Sequence, residues 1–158
     1  MGLTFRGQSL QDGTDPDSAE YWFDLIKGLP GHEPYEVRGT DVVAPGRKGR
    51  YAGNRVEDHL DLLIEGHIRG IGATPQERTD RWHEVTQTIL AVFSLSLAPG
   101  TLVASPGSNG YLGLEDDAEI QARTVDVMGG SIRSRMSYQT LSFKLESIDE
   151  VGWDLGSS

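Results

Sequence analysis

The sequence predicts an α+β fold, mainly β, in which a split barrel or sandwich carries one long helix over about residues 75–95. Three observations predict it. Glycine, proline and short polar clusters break the apolar runs about every ten residues, a rhythm of short strands. One segment alone has a sustained helical period. Strands precede and follow that segment, the order of an α+β domain rather than of repeated βαβ units. A chain of 158 residues is long enough for one core and short for two. Residues 1–158 are therefore expected to form a single domain, with a flexible tail over about 154–158.

A short strand at Leu3–Phe5 opens the chain, and the polar, turn-rich "QSLQDGTDPDSAE" (8–20) reads as a loop. "YWFDLI" (21–26) alternates Tyr21, Phe23 and Leu25 with Trp22, Asp24 and Ile26; "KGLPG" follows too soon for a helix of three turns, so a strand is expected. "YEVRGTDVVAP" (35–45) reads as a strand interrupted at Gly39 and stopped by Pro45. Residues 55–70 place Leu60, Leu62 and Ile64 on one face and Asp61 and Glu65 on the other, with a bulge or close backbone approach at Gly66 and Gly70.

Thr74-Pro75-Gln76-Glu77 supplies an N-cap hydroxyl, a proline at the first helical position and a glutamate at the third, a capping box. Trp82, Val85, Ile89, Leu90, Val92 and Phe93 then recur at about 3.6 residues and define the core helix. Burial of each large side chain stabilises by roughly 1.5–3 kcal/mol, and this face needs a sheet beneath it. "TLVAS" (101–105) and "YLGLE" (111–115) read as two strands of a hairpin turned by "PGSNG". In "EIQARTVDVM" (119–128), Ile120, Ala122, Thr124 and Asp126 share one face. "SYQTLSFKLESI" (137–148) has the cleanest alternation, with Leu141, Phe143 and Leu145 inward and Ser142, Lys144 and Glu146 outward. "DEVGWDLGSS" ends the chain with an isolated Trp153.

With no cysteine, disulfides, thiolate metal sites and a cysteine nucleophile are excluded. The first thirty residues lack the basic and apolar regions of a secretory signal, and no apolar run approaches the ~18 residues of a membrane span. A soluble protein without membrane insertion is expected. A formal net charge of −10 argues against general duplex-DNA binding, which requires clustered cations.

His32, His59, His67 and His83 read as surface or edge histidines. His59 and His67 lie about 26 Å apart on a strand rising ~3.3 Å per residue, and His59 with Asp61 makes only two ligands. "DGTDPD" (12–17) and "EDD" (115–117) lack calcium-loop spacing and read as solvated turns. Neither a nucleophile elbow nor an HExxH motif occurs. No enzyme activity, metal or cofactor is expected.

"APGRKGRYAG" (44–53) concentrates Arg47, Lys48 and Arg50, followed by Tyr51, in a glycine-rich stretch of an acidic chain. It lacks the Lys-Ser/Thr ending of a phosphate loop and no helix follows it, so a phosphate cradle is not expected.

Residues 20–153 resemble the N-terminal belt domain of the distal tail proteins of long-tailed bacteriophages, a family related in fold to tail tube proteins. Val37, Arg38, Asp41, Pro45 and Gly49 carry the resemblance first; Gly66-His67-Ile68-Arg69-Gly70, the helix from Thr74 and "SIDEVGW" follow. Two features depart from the family. Larger relatives carry a second domain for which this chain has no length, and Asp149 is followed by Glu-Val-Gly-Trp where Asp-Pro-x-Trp is common.

The resemblance implies a structural virion protein at the tail tip, made in the host cytoplasm. It would form a homo-hexameric ring that joins the tail tube protein to tail hub and tip proteins, with DNA passing through the lumen without specific binding. A tail tube protein is the alternative within that reading. Exposed strand edges could supply pairing between subunits, and Arg47, Lys48, Arg50 and Tyr51 would form an interface loop facing acidic surface on a neighbouring subunit or ring. A solvated turn is the other reading of that loop. Outside the family, a carbohydrate- or receptor-binding β module is the alternative, with Trp22, Trp82, Trp153 and Tyr111 as stacking candidates.

Overall fold

The computed structural model describes residues 2–30, 36–38, 56–107, 110–129, 137–148 and 152–156, with the backbone alone at 36–38 and 56–58. Its strands are β1 (Leu3–Phe5), β2 (Gln8–Ser9), β3 (Tyr21–Lys27), β4 (Glu36–Arg38), β5 (Val56–His59), β6 (Asp61–Arg69), β7 (Gly100–Ala104), β8 (Ala118–Gly129) and β9 (Tyr138–Ser147). The helix α1 spans Pro75–Val92.

Seven strands form one antiparallel sheet in the order β2-β1-β7-β8-β9-β6-β3, and β4 pairs with β5 separately. The fold is thus α+β and mainly antiparallel β, but the sheet is not closed into a barrel. Its two ends approach each other through a single bridge, Gln11 to Trp22. The helix packs on the core from one side.

Alternation decides which side chains meet there. β9 and β6 are adjacent inside the sheet, and their buried residues alternate: Leu141, Phe143 and Leu145 beside Leu62, Ile64 and Ile68. Trp82, Val85, Ile89 and Phe93 face them from the helix side, all buried as the 3.6 period predicts. Phe143 and Phe93 stack with ring centroids 3.9 Å apart, while Phe5 and Phe23 flank the pair at 5.2 and 5.6 Å.

Both helix ends are satisfied. The Glu77 N–H donates to Thr74 Oγ1 at 3.2 Å, and the Glu77 carboxylate accepts from the Ala73 N–H at 2.9 Å, one residue earlier than the usual reciprocal contact. No basic residue occupies the last turn; Arg6 supplies the charge from the β1–β2 turn, donating to the carbonyls of Val92 and Ala98. Arg81 holds the outer face by a two-pronged contact with Glu20 just before β3, 2.8 Å at each nitrogen.

Several expectations are corrected. The helix ends at Val92, with Phe93 as its cap, rather than near 95. The run 55–70 is two strands broken at Leu60. The expected 8–20 loop includes the two residues of β2.

"YLGLE" is not a strand, and β7 pairs with β8 instead of forming a hairpin with 111–115. Tyr111 and Leu114 do pack on the core, but from a turn: Gly113 has φ +88° and Leu112 is 91% exposed. Alternate apolar residues satisfied the strand pattern without strand geometry.

Asp126 is the most instructive case. Strict alternation puts it inward with Ile120 and Ala122, yet it is exposed. The β8–β9 register shifts between Thr124 and Asp126, a bulge that turns Asp126 outward opposite Lys144 and brings Val127 against the core. One extra residue spares a buried carboxylate.

The glycine expectation holds in its close-approach form. A Cβ at Gly66 would lie 2.0 Å from the Trp22 carbonyl oxygen, and one at Gly70 would lie 1.8 Å from that of Arg78.

Candidate assembly surface

Arg47, Lys48, Arg50 and Tyr51, the interface residues expected from sequence, lie outside the described residues, as does His32. The structure describes β4 and β5, the strands that precede and follow that segment, and the sheet surface beyond them.

At the end of β5 away from that segment stands His59, and β6 begins two residues later. His59 Nε2 lies 2.9 Å from Asp61 Oδ1 and 3.7 Å from Glu146 Oε2. Arg123 contacts the other oxygen of Glu146 at 3.2 Å, and Lys27 Nζ approaches Asp61 at 3.9 Å. Asp61 and Glu146 are direct cross-strand neighbours, which would be unfavourable for two bare carboxylates; the three nitrogen groups around them offset that repulsion. Among the described residues no group of three His, Asp or Glu side chains has the geometry to hold a metal ion.

Beyond this cluster, the outward sheet face is polar and of mixed sign. Glu65 accepts from the Ser142 hydroxyl at 3.2 Å, and His67 stacks on Tyr138 with centroids 5.7 Å apart. Asp24, Ile26, Glu65, His67, Thr140 and Ser142 border a shallow groove of about 500 Å³. Among the described residues no Trp, Tyr or Phe lines it.

The stacking candidates for a carbohydrate module are engaged elsewhere. Trp82 is fully buried, and Trp22 is buried with its Nε1–H on Asp24. Trp153 is half-buried and donates to the Gly28 carbonyl at 2.8 Å. Tyr111 is half-buried too, and its hydroxyl oxygen accepts from the Leu25 N–H at 2.8 Å. These four do not form a shared platform.

Burial, the dominant cause, pushes the Tyr111 phenol up to about 12; the negative charge of Asp24 adds to this, while the Leu25 N–H opposes it. A folded-state value above the ordinary 10.0 means that the native protein retains a proton which the unfolded chain releases. Stability is therefore expected to fall as pH rises from about 10 to about 12, with Tyr21, also raised chiefly by burial, contributing in the same sense. Urea midpoints across that window test it: Tyr111→Phe should flatten the slope, and an unchanged slope would contradict the assignment.

No protein-family model matches the chain, and no curated protein matches its sequence. Comparison of the coordinates gives a different result. The crystal structure of the SPP1 Dit protein, described as a paradigm of the hub adsorption apparatus in phages infecting Gram-positive bacteria, superposes with a TM-score of 0.55 at 12% identity. The match covers 94% of this chain and 49% of Dit. The fold resembles Dit.

This chain spans about half the length of Dit, and the identity is low enough that the likeness speaks for the fold alone. The match runs through nearly all of the present chain.

Sequence reasoning missed Gln11, which is 1% exposed and bonded at both ends of its amide. Its Oε1 accepts from the Gly2 N–H at 3.0 Å, and its Nε2 donates to the Phe23 carbonyl and to Asp24 at 3.3 and 2.8 Å. A polar residue within a polar run carries no signal of burial. Asp154, expected within a flexible tail, exchanges two backbone hydrogen bonds with Glu119, of 2.9 and 2.8 Å.

Proposed function

We propose that this chain is a structural component of a long-tailed phage tail, a distal-tail-type protein that forms a hexameric ring between tail tube and tail tip. The observation that carries the reading is the Dit-like fold over 94% of the chain. The engagement of Trp22, Trp82, Trp153 and Tyr111 in contacts elsewhere weighs against a carbohydrate-binding module. Catalysis and a cofactor have no part in this reading.

Electrostatics fits a conduit. Six copies, each of formal charge −10, give 6 × −10 = −60, a ring whose field repels DNA rather than holding it. Cations are not spread evenly along the chain: residues 42–55 carry Arg47, Lys48, Arg50 and Arg55 without an acid, and 130–136 carry Arg133 and Arg135 without one. In a ring of identical subunits each interface joins two different surfaces, and a basic segment facing acidic surface on its neighbour would set the register. Partners in this reading are further copies of the chain, the tail tube protein and hub or tip proteins.

Gold-labelled antibody against the chain, applied to intact virions, tests the placement. Label confined to the tail tip is expected. Label along the whole tail would indicate a tube protein instead, and label on no particle would overturn a virion role. Charge reversal tests the basic segment separately: Lys48→Glu with Arg50→Glu is expected to reduce ring assembly by about tenfold or more. Normal particle yield from that variant would remove the segment from the interface.

A further inference from the structure

β3 stands at the end of the seven-stranded sheet, and its sequence is a hazard there. "YWFDLIK" is rich in aromatic and branched residues, has no proline and contains one acid and one base. An edge of this kind offers free N–H and C=O groups to any passing strand, including the same segment of a second copy.

Four of those groups, from Tyr21 to Leu25, are occupied. The Tyr21 carbonyl accepts from the Asp12 N–H at 3.1 Å, and the Phe23 N–H donates to the Leu10 carbonyl at 2.9 Å. Side chains take over from there. Gln11 Nε2 donates to the Phe23 carbonyl, the Leu25 N–H donates to Tyr111 Oη, and Trp153 Nε1 donates to the Gly28 carbonyl just past the strand. Tyr111 and Trp153 reach these atoms from 86 and 125 residues away in sequence, so two separate loops converge on one edge. At the opposite end of the sheet, β2 is only two residues long. The register shift between Leu25 and Lys27 further spoils the strand as a template.

We infer that Gln11, Tyr111 and Trp153 are edge guards, which close β3 to strand addition by a second copy of this chain. Association between copies then proceeds through faces and loops and not by extension of this sheet. Pairing between subunits through exposed edges, as the sequence suggested, is blocked along β3. The inference concerns the edge alone and holds whether the chain assembles into a ring or not.

The test is a Tyr111→Phe/Trp153→Phe variant, which removes two guarding polar atoms while keeping aromatic rings in place, with Gln11→Ala as a second variant. Two readouts apply. In the double variant, exchange of the Leu25 amide should quicken by about tenfold relative to wild type at matched global stability. Both variants should also form thioflavin-positive assemblies and bind a synthetic Tyr21–Lys27 peptide, which the wild type does not. A folded double variant with wild-type Leu25 protection, no peptide binding and no added assembly would overturn the inference. Should Gln11→Ala fail to fold, the double variant decides the matter alone; should the double variant also lose its fold, Tyr111→Phe read by Leu25 exchange and peptide binding decides it.

Discussion

Replacing Phe143 by alanine is expected to destabilise the protein by about 3–5 kcal/mol, a large part of the stability of a domain this size. Phe143 is fully buried on β9, between β8 and β6. Its ring lies nearly parallel to Phe93 at 3.9 Å and tilted against Phe23 at 5.6 Å, so it links the helix cap to the edge-side strand through one stack. Truncation removes the transfer energy of the ring and leaves a cavity bounded by aromatic rings that cannot collapse into it without leaving their own contacts. Urea denaturation measures the loss. Lys144→Ala, one position along and facing solvent, should stay within about 0.5 kcal/mol and serves as the control. Equal effects at the two positions would contradict the assigned faces.

Gly66→Ala is expected to cost about 3 kcal/mol or more, the upper end for forced overpacking, although it adds only one methyl group. That methyl would stand 2.0 Å from the Trp22 carbonyl oxygen and 2.6 Å from Phe23 Cα. Both are backbone atoms of β3, so no rotamer change relieves the contact and the strand itself must move away from β6. The damage should be directional. Amides of 21–25 should lose exchange protection first, while those of β8 and β9 remain protected. Uniform loss of protection across the sheet would show that β3 is not docked through this approach. The same strand carries the guarded edge, so Gly66→Ala also predicts greater strand addition as a consequence of displacing β3 from Gln11 and Tyr111.

Much of this architecture could be read from residue spacing, and the failures have common causes. Strands with strict alternation, such as 137–148, were placed within a residue or two, because burial on one face leaves a period of two. The helix was marked by Thr74, Pro75 and Glu77 at its start, all local chemistry. Its end was less visible, since the cation that caps it is Arg6, drawn from the other end of the chain. Asp126 was misplaced because a bulge is a break in periodicity, and periodicity was the evidence. Tyr111, Leu112 and Leu114 imitated a strand, when two of them pack on the core from a turn.

The candidate surface was less legible than the fold for the same reason. Gln11, Tyr111 and Trp153 act by meeting β3 from distant positions, and sequence spacing cannot show a meeting of that kind. His59 and Asp61 are neighbours in sequence, but Glu146 meets them only through strand register. The basic segment, conspicuous in sequence, lies outside the described residues, so its role rests on charge and on the proposed ring.

Negative-stain imaging of the purified chain, with mass photometry at rising concentration, tests the proposed tail role most directly. Six-fold rings with a mass near six subunits of 17.2 kDa are the expected result, either alone or on addition of the tail tube protein as a template. A strict monomer at high concentration, persisting in the presence of that template, would contradict it.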